Sequence, residues 1–164
     1  NKELLNFEDT FGTWLHLSAE IGDLEIVKYL IESGIDINKR SGIGNTTALK
    51  DASSEGHFKV VKYLLSKGAE FDTSEPEKNP LFGAAHFGHI KIVKLLIKNG
   101  IDYSLKYTGR RMKNMDAAMF AKEFGQTEVA NYLFGLDLNK NIKLVSKSEP
   151  NLFIQIKIES LAFP

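Results

Sequence analysis

Residues 79 to 102 read NPLFGAAHFGHIKIVKLLIKNGID, and this stretch decides the architecture. It opens with Pro80 where a helix would start and runs through Ala84 and Ala85 to a break at Gly88-His89. A second apolar run follows, Ile90, Ile92, Val93, Leu95, Leu96 and Ile97, and stops at Asn99-Gly100. Proline at the first helical position and glycine just past the last are start and stop signals, so the spacing predicts two short helices joined by a tight turn. Such a pair cannot bury its apolar stripe alone.

Working outward, the same register recurs on both sides. Thr13 to Asp36 reads TWLHLSAEIGDLEIVKYLIESGID, Thr47 to Glu70 reads TALKDASSEGHFKVVKYLLSKGAE, and Asp116 to Leu133 reads DAAMFAKEFGQTEVANYL. The mid-unit glycines Gly22, Gly56, Gly88 and Gly125 stand 34, 32 and 37 residues apart. That is close to the ~33-residue period of stacked helix-pair repeats.

The residues that recur resemble those of the ankyrin-repeat family. Thr13-Trp14-Leu15-His16 and Asn79-Pro80-Leu81-Phe82 are variants of the family's Thr-Pro-Leu-His opening. Gly56-His57 and Gly88-His89 resemble its mid-repeat turn, and Ile26 to Leu30, Val60 to Leu64 and Ile92 to Leu96 its outer-helix core. The resemblance spans about Phe11 to Leu133 and implies an all-α repeat solenoid of about four helix-turn-helix repeats with hairpin loops. The expected repeats are 11–44, 45–78, 79–111 and 112–138, preceded by a capping helix over residues 1–10. The family's Thr and His positions are altered here, with Asn79 and Asp116 replacing Thr and with Lys50, Phe82 and Met119 replacing His. A regular hydrogen-bond ladder between repeats is therefore in question beyond the first, and Phe82 and Met119 are expected to add apolar packing instead.

After Leu133 the pattern lapses, and Phe134-Gly135-Leu136-Asp137-Leu138 stands where a closing glycine is expected. Ile142 to Val145 and Leu152 to Ile158 are short apolar segments, the second with strand-like alternation, separated by Ser146 to Asn151. This predicts a β-hairpin-like appendage over residues 139–164.

Composition narrows the functional classes. The 164 residues carry 21 basic and 21 acidic side chains, so no bulk charge draws the chain toward nucleic acid or a membrane. With no cysteine, disulfide and thiol chemistry are excluded. There is no basic-then-apolar leader pattern and no apolar run near 18 residues, so a cytoplasmic protein is expected. The opening Asn1 in place of Met points to trimming at that end.

In the resembled family the inner helices line a groove. Carried over by position, the groove-facing pairs are Leu17 with Ile21, Asp51 with Glu55, Gly83 with Phe87, and Phe120 with Phe124, with Trp14 at its finger side. An acidic pair beside aromatic surface is the pattern of a protein-recognition site, although the same aromatics could pack between repeats. As catalytic carboxylates, Asp51 and Glu55 lack the enclosing cleft that would raise one pKa. His86 and His89 have a metal-like spacing, but no further ligand accompanies them. The loops differ more than the helices do. Lys39-Arg40 opens one finger, residues 73–78 are acidic, and the third, with Tyr107, Arg110 and Arg111, is basic. One basic loop on a neutral chain is a weak nucleic-acid signal.

The expectation is a non-catalytic protein-binding module needing no cofactor and no metal, monomeric when unbound. Its predicted contacts are Trp14, Asp51, Glu55, Phe87, Phe120 and Phe124 in the groove, and Lys39, Arg40, Tyr107, Arg110 and Arg111 on the fingers. Met112 to Leu133 also resembles the closing repeats of small bacterial ankyrin proteins, some of which are immunity proteins that block a cognate toxin. A toxin domain is one expected partner; a general adaptor or regulator explains the same residues.

Overall fold

The computed structural model describes Leu5, residues 7–109 and residues 112–148. Among these, a two-stranded hairpin, β1 (Glu8–Asp9) and β2 (Gly12–Thr13), is followed by eight helices. They come in pairs: α1 (Trp14–Ile21) with α2 (Leu24–Glu32), α3 (Ala48–Ser54) with α4 (Phe58–Ser66), α5 (Pro80–His86) with α6 (Ile90–Lys98), and α7 (Ala117–Glu123) with α8 (Thr127–Ser148). Two compact units divide the chain, Asn1–Ala130 and Asn131–Pro164, and α8 begins in the first.

Each short inner helix is started by a polar side chain. The Asn79 side chain accepts from Leu81 N at 2.8 Å, with Pro80 in the first turn, and Asp116 accepts from Met119 N at 2.9 Å. Losing such a cap costs about 1 kcal/mol. Inner helices stack on inner helices, α1 on α3 on α5 on α7, and outer on outer, α2 on α4 on α6. Small residues at one register position, Ser18, Ala52, Ala84 and Ala121, are buried and let the inner helices approach. Val27, Val61, Val93 and Ala130 occupy the matching buried position on the outer helices. Each fully buried valine or leucine contributes about 1.5–3 kcal/mol, so every pair depends on its neighbours.

The turn between paired helices needs a left-handed residue, and Gly22, Gly56, Gly88 and Gly125 supply it with φ of 84°, 82°, 76° and 74°. A second constraint acts on three of them. The His57 ring lies where a Cβ on Gly22 would be, His89 covers Gly56, and Gln126 covers Gly88. Each ring also donates to the repeat before it, His57 Nε2 to Glu20 O at 2.7 Å and His89 Nε2 to Ser54 O at 2.9 Å. In the first repeat His16 Nε2 donates to Thr46 O at 3.0 Å, which leaves Nδ1 to accept from the Thr13 hydroxyl at 2.8 Å. Of the replacements at the His16 position, Phe82 is buried as expected, whereas Met119 stays exposed.

The two ends differ from the sequence expectation. A capping helix was expected over residues 1–10. Leu5 is helical, but Glu8 to Thr13 fold back as the hairpin, because Asp9 Oδ1 accepts from Phe11 N at 2.8 Å and Gly12 adopts φ 108°. At the other end, α8 runs through Ser148, so residues 139–148, including Ile142 to Val145, are helical and do not form a strand. No proline interrupts this segment, Gly135 is not among the positive-φ glycines, and Leu138, Ile142 and Val145 follow helical spacing. The alternating segment Leu152 to Ile158 lies outside the described residues. No helix among the described residues is long and apolar enough to cross a membrane.

Candidate functional site

On the inner-helix face, α5 and α7 bring five aromatic rings together. Phe82, buried in α5, meets Phe120 of α7 at 5.2 Å between ring centroids. Tyr107 packs its edge against Phe82 at 5.0 Å and 84°. One turn beyond Phe82, His86 stacks on Phe87 at 4.5 Å and 8° and lies 4.1 Å from Phe124, with Phe120 edge-on at 5.6 Å. Phe120 and Phe124, four residues apart on one helix face, are 4.8 Å apart.

Phe82, His86, Phe87, Phe120 and Phe124 floor a cavity of about 610 Å³. Its walls are two fingers, Glu75, Pro76 and Glu77 on one side and Thr108, Gly109 and Met112 on the other. The size falls within the ~300–1,000 Å³ of ligand-binding clefts. Phe87 and Phe124 are 53% and 46% exposed, so the cluster is not sealed by the fold. Contiguous aromatic surface left open on a folded chain is the mark of an interaction site.

A smaller hollow of about 240 Å³ lies across α3, lined by Glu20, Asp51, Glu55, Thr46 and Ile43; Lys50 and Ser54 border both. Asp51 and Glu55 share this hollow, but they are not alike. Asp51 is half-buried and accepts from the Thr46 hydroxyl at 2.8 Å, while Glu55 is exposed at the end of α3. Burial raises the Asp51 pKa above the ordinary carboxylate range, against the Thr46 hydrogen bond and the nearby His16 and Lys50. This is a shallow acidic surface that can meet a cation or a donor.

The expected finger residues have partners within the chain. Lys39 pairs with Glu8 at 3.2 Å, and Arg40 Nε approaches Asp72 Oδ2 at 2.9 Å as an ion pair without an aligned hydrogen bond. Burial, which would raise the Asp72 pKa, is outweighed by two hydrogen bonds from Ser74 and by Arg40, leaving it below the usual range. Tyr107 sits at the base of its finger and not at the tip: its hydroxyl donates to Thr73 O at 2.8 Å and accepts from Asn79 Nδ2 at 3.0 Å. Trp14 is 44% exposed, with the Phe7 ring 5.8 Å away. Arg110 and Arg111 lie outside the described residues.

Sequence reasoning treated His86 only as a metal candidate and passed over Met112 and Glu77. Its signal was present in the four-residue step from Phe82, which places both rings on one helix face. Among the described residues no group of His, Asp or Glu could hold a metal ion.

The family profile described as "Ankyrin repeats (3 copies)" matches residues 2–75 and 72–143. The chain belongs to the ankyrin-repeat family. This ankyrin-repeat chain is 41% identical over 59 residues to ankyrin repeat and SAM domain-containing protein 6 of Rattus norvegicus, a match covering 36% of this chain and 7% of that protein. It is 39% identical over 56 residues to ankyrin repeat domain-containing protein 40 of Mus musculus, covering 34% and 15%. With ankyrin repeat and KH domain-containing protein 1 of Homo sapiens it shares 44% over 62 residues, covering 38% and 2%. The matches therefore span only a small fraction of these longer relatives. Ankyrin repeats mediate protein–protein interactions and are generally non-catalytic.

Proposed function

We infer that this ankyrin-repeat chain is a non-catalytic binding module whose inner-helix groove holds an apolar or aromatic side chain of a partner protein. The observation that carries this is the half-exposed pair Phe87 and Phe124 around His86, at the mouth of a 610 Å³ cavity between two fingers. Phe120 floors the pocket, and Asp51, Glu55 and Trp14 extend the contact surface toward the first repeats. Four repeats at about 11–44, 45–78, 79–111 and 112–138 form the scaffold, monomeric until a partner binds. Arg110 and Arg111 are further contacts on the third finger, whereas Lys39, Arg40 and Tyr107 hold the fingers in place.

A toxin domain as partner is the narrower form of this reading. It rests on the resemblance of Met112 to Leu133 to the closing repeats of small bacterial ankyrin proteins, some of which are immunity proteins, and the animal relatives lend it no support. A general adaptor or regulatory role is the broader form.

The test is affinity capture from the native host by the wild type and by a Phe87→Ala/Phe124→Ala variant. Both rings are half exposed, so the fold should lose little, while a partner anchored on them should bind at least ~30-fold more weakly. A partner retained equally by both proteins refutes the groove. Protection of cells from one specific toxin would establish the narrower form.

A further inference from the structure

The outer helices carry a second surface, independent of the groove. Helices α4 and α6 pack side by side and present Lys59, Lys62, Lys91, Lys94 and Lys98, all exposed, with no acidic residue on either helix. The whole chain is neutral, so this is local segregation of charge. The repeats supply their own control. At one register position stand Glu25, Lys59, Lys91 and Glu128, and three residues later Lys28, Lys62, Lys94 and Asn131.

In α2, Lys28 is held by Glu25 at 2.8 Å, which raises the lysine pKa through that hydrogen bond. In α4 and α6 the residue three places earlier is itself a lysine. Like charges at this spacing weaken a helix slightly. The buried side chains of these helices are Val60, Val61, Leu64, Ile92, Val93 and Leu96, so the lysines add nothing to the core. Lys59, Lys62, Lys91 and Lys98 have no ion pair among the described residues. Residue choices that cost a helix and pack nothing point to function.

The array is narrow. Steps of three residues along each helix are roughly 5 Å, and neighbouring helices lie about 10 Å apart. In register it is bounded by Glu25 and Glu32 on one side and by Glu128 on the other. A bilayer or a nucleic-acid duplex is broad enough to press on those acids as well, whereas a slim ligand can meet the lysines alone. Lysine is a point charge on a flexible stem, suited to carboxylates in any orientation rather than to bidentate recognition. We propose that the outer face of α4 and α6 docks a narrow, Asp/Glu-rich segment of a partner protein, lying between the flanking glutamates.

The experiment follows fluorescein-labelled deca-glutamate by anisotropy with the full chain at low ionic strength. Lys59→Glu/Lys91→Glu gives both helices the glutamate–lysine spacing of α2. It should weaken binding about tenfold or more, while the melting temperature holds or rises and capture through the groove is unchanged. Lys106→Glu/Lys113→Glu in the third finger should leave peptide binding intact. The proposal is overturned if the first variant binds the peptide like the wild type or if the finger variant loses as much. Phosphatidylserine vesicles or a DNA duplex binding in preference to the peptide, with the same lysine dependence, would also overturn it.

Discussion

Gly83 and Ser54 set how closely α5 approaches α3, and the pair offers a sharp test of the packing. A Cβ built on Gly83 would fall on the Ser54 hydroxyl, while Ser54 Cβ and Cα would lie at an ordinary 3.5 and 3.6 Å. That hydroxyl is buried and has no hydrogen-bond partner among the described residues. Gly83→Ala inside a helix gains about 1 kcal/mol of propensity. Against this stands an overpacking cost of about 1–3 kcal/mol, so the single variant should be neutral or up to ~2 kcal/mol less stable. Ser54→Ala removes an orphaned polar atom and should be neutral or stabilising by ~1 kcal/mol. Combined, they leave only ordinary contacts, and the double variant should exceed the wild type by roughly 1–2 kcal/mol. The coupling should therefore be at least ~1 kcal/mol, read from urea midpoints at constant m. Additivity within ~0.5 kcal/mol would refute the reasoning, because it would mean the hydroxyl swings aside at no cost.

Two further predictions concern polar groups tied into the scaffold. Tyr107→Phe keeps the edge contact with Phe82 but loses both hydroxyl hydrogen bonds, and should cost about 1–2 kcal/mol in urea denaturation; an unchanged midpoint would show that the finger is not held there. The Asp51 pKa is raised by folding, so its contribution is fully present below the unfolded carboxylate pKa and is lost as pH rises through the folded value. Asp51→Asn should accordingly be more stable than the wild type near neutral pH, with the difference closing in acid; a pH-independent difference would contradict this.

The helix pairs were legible because their causes are local. Pro80, the apolar run from Ile90 to Ile97 and the glycines at each turn state their roles within a few residues of sequence. The floor of the groove was partly legible for the same reason: Phe120 and Phe124 share a helix face by spacing alone. What the sequence did not disclose was which polar side chains the neighbouring repeats would claim. Arg40 meets Asp72, and Tyr107 meets Asn79 and Thr73, across one repeat length, so residues that read as loose finger tips are structural ties. The acidic pair was divided likewise, since Thr46 on the adjoining finger binds Asp51 and leaves Glu55 exposed. At the ends, where no following repeat repeats the pattern, periodicity had little to work on. The hairpin at Glu8 to Thr13 depends on one aspartate turn and one glycine, and α8 continues through Gly135 where a stop was expected.

The interlock at the glycine turns runs in one direction only. His57 closes over Gly22, His89 over Gly56 and Gln126 over Gly88, so each of these three turns is finished by a side chain that lies later in the sequence. The covering side chain always belongs to the repeat that follows, so the last turn of the series, at Gly125, has nothing within 4 Å of its Cβ position among the described residues. Removing repeats from the far end exposes a fresh turn, whereas removing the first repeat exposes none and instead leaves His57 without Gly22 to cover and without the Glu20 carbonyl to donate to. The two edges of the stack are therefore unlike, and the open turn is at the Gly125 end.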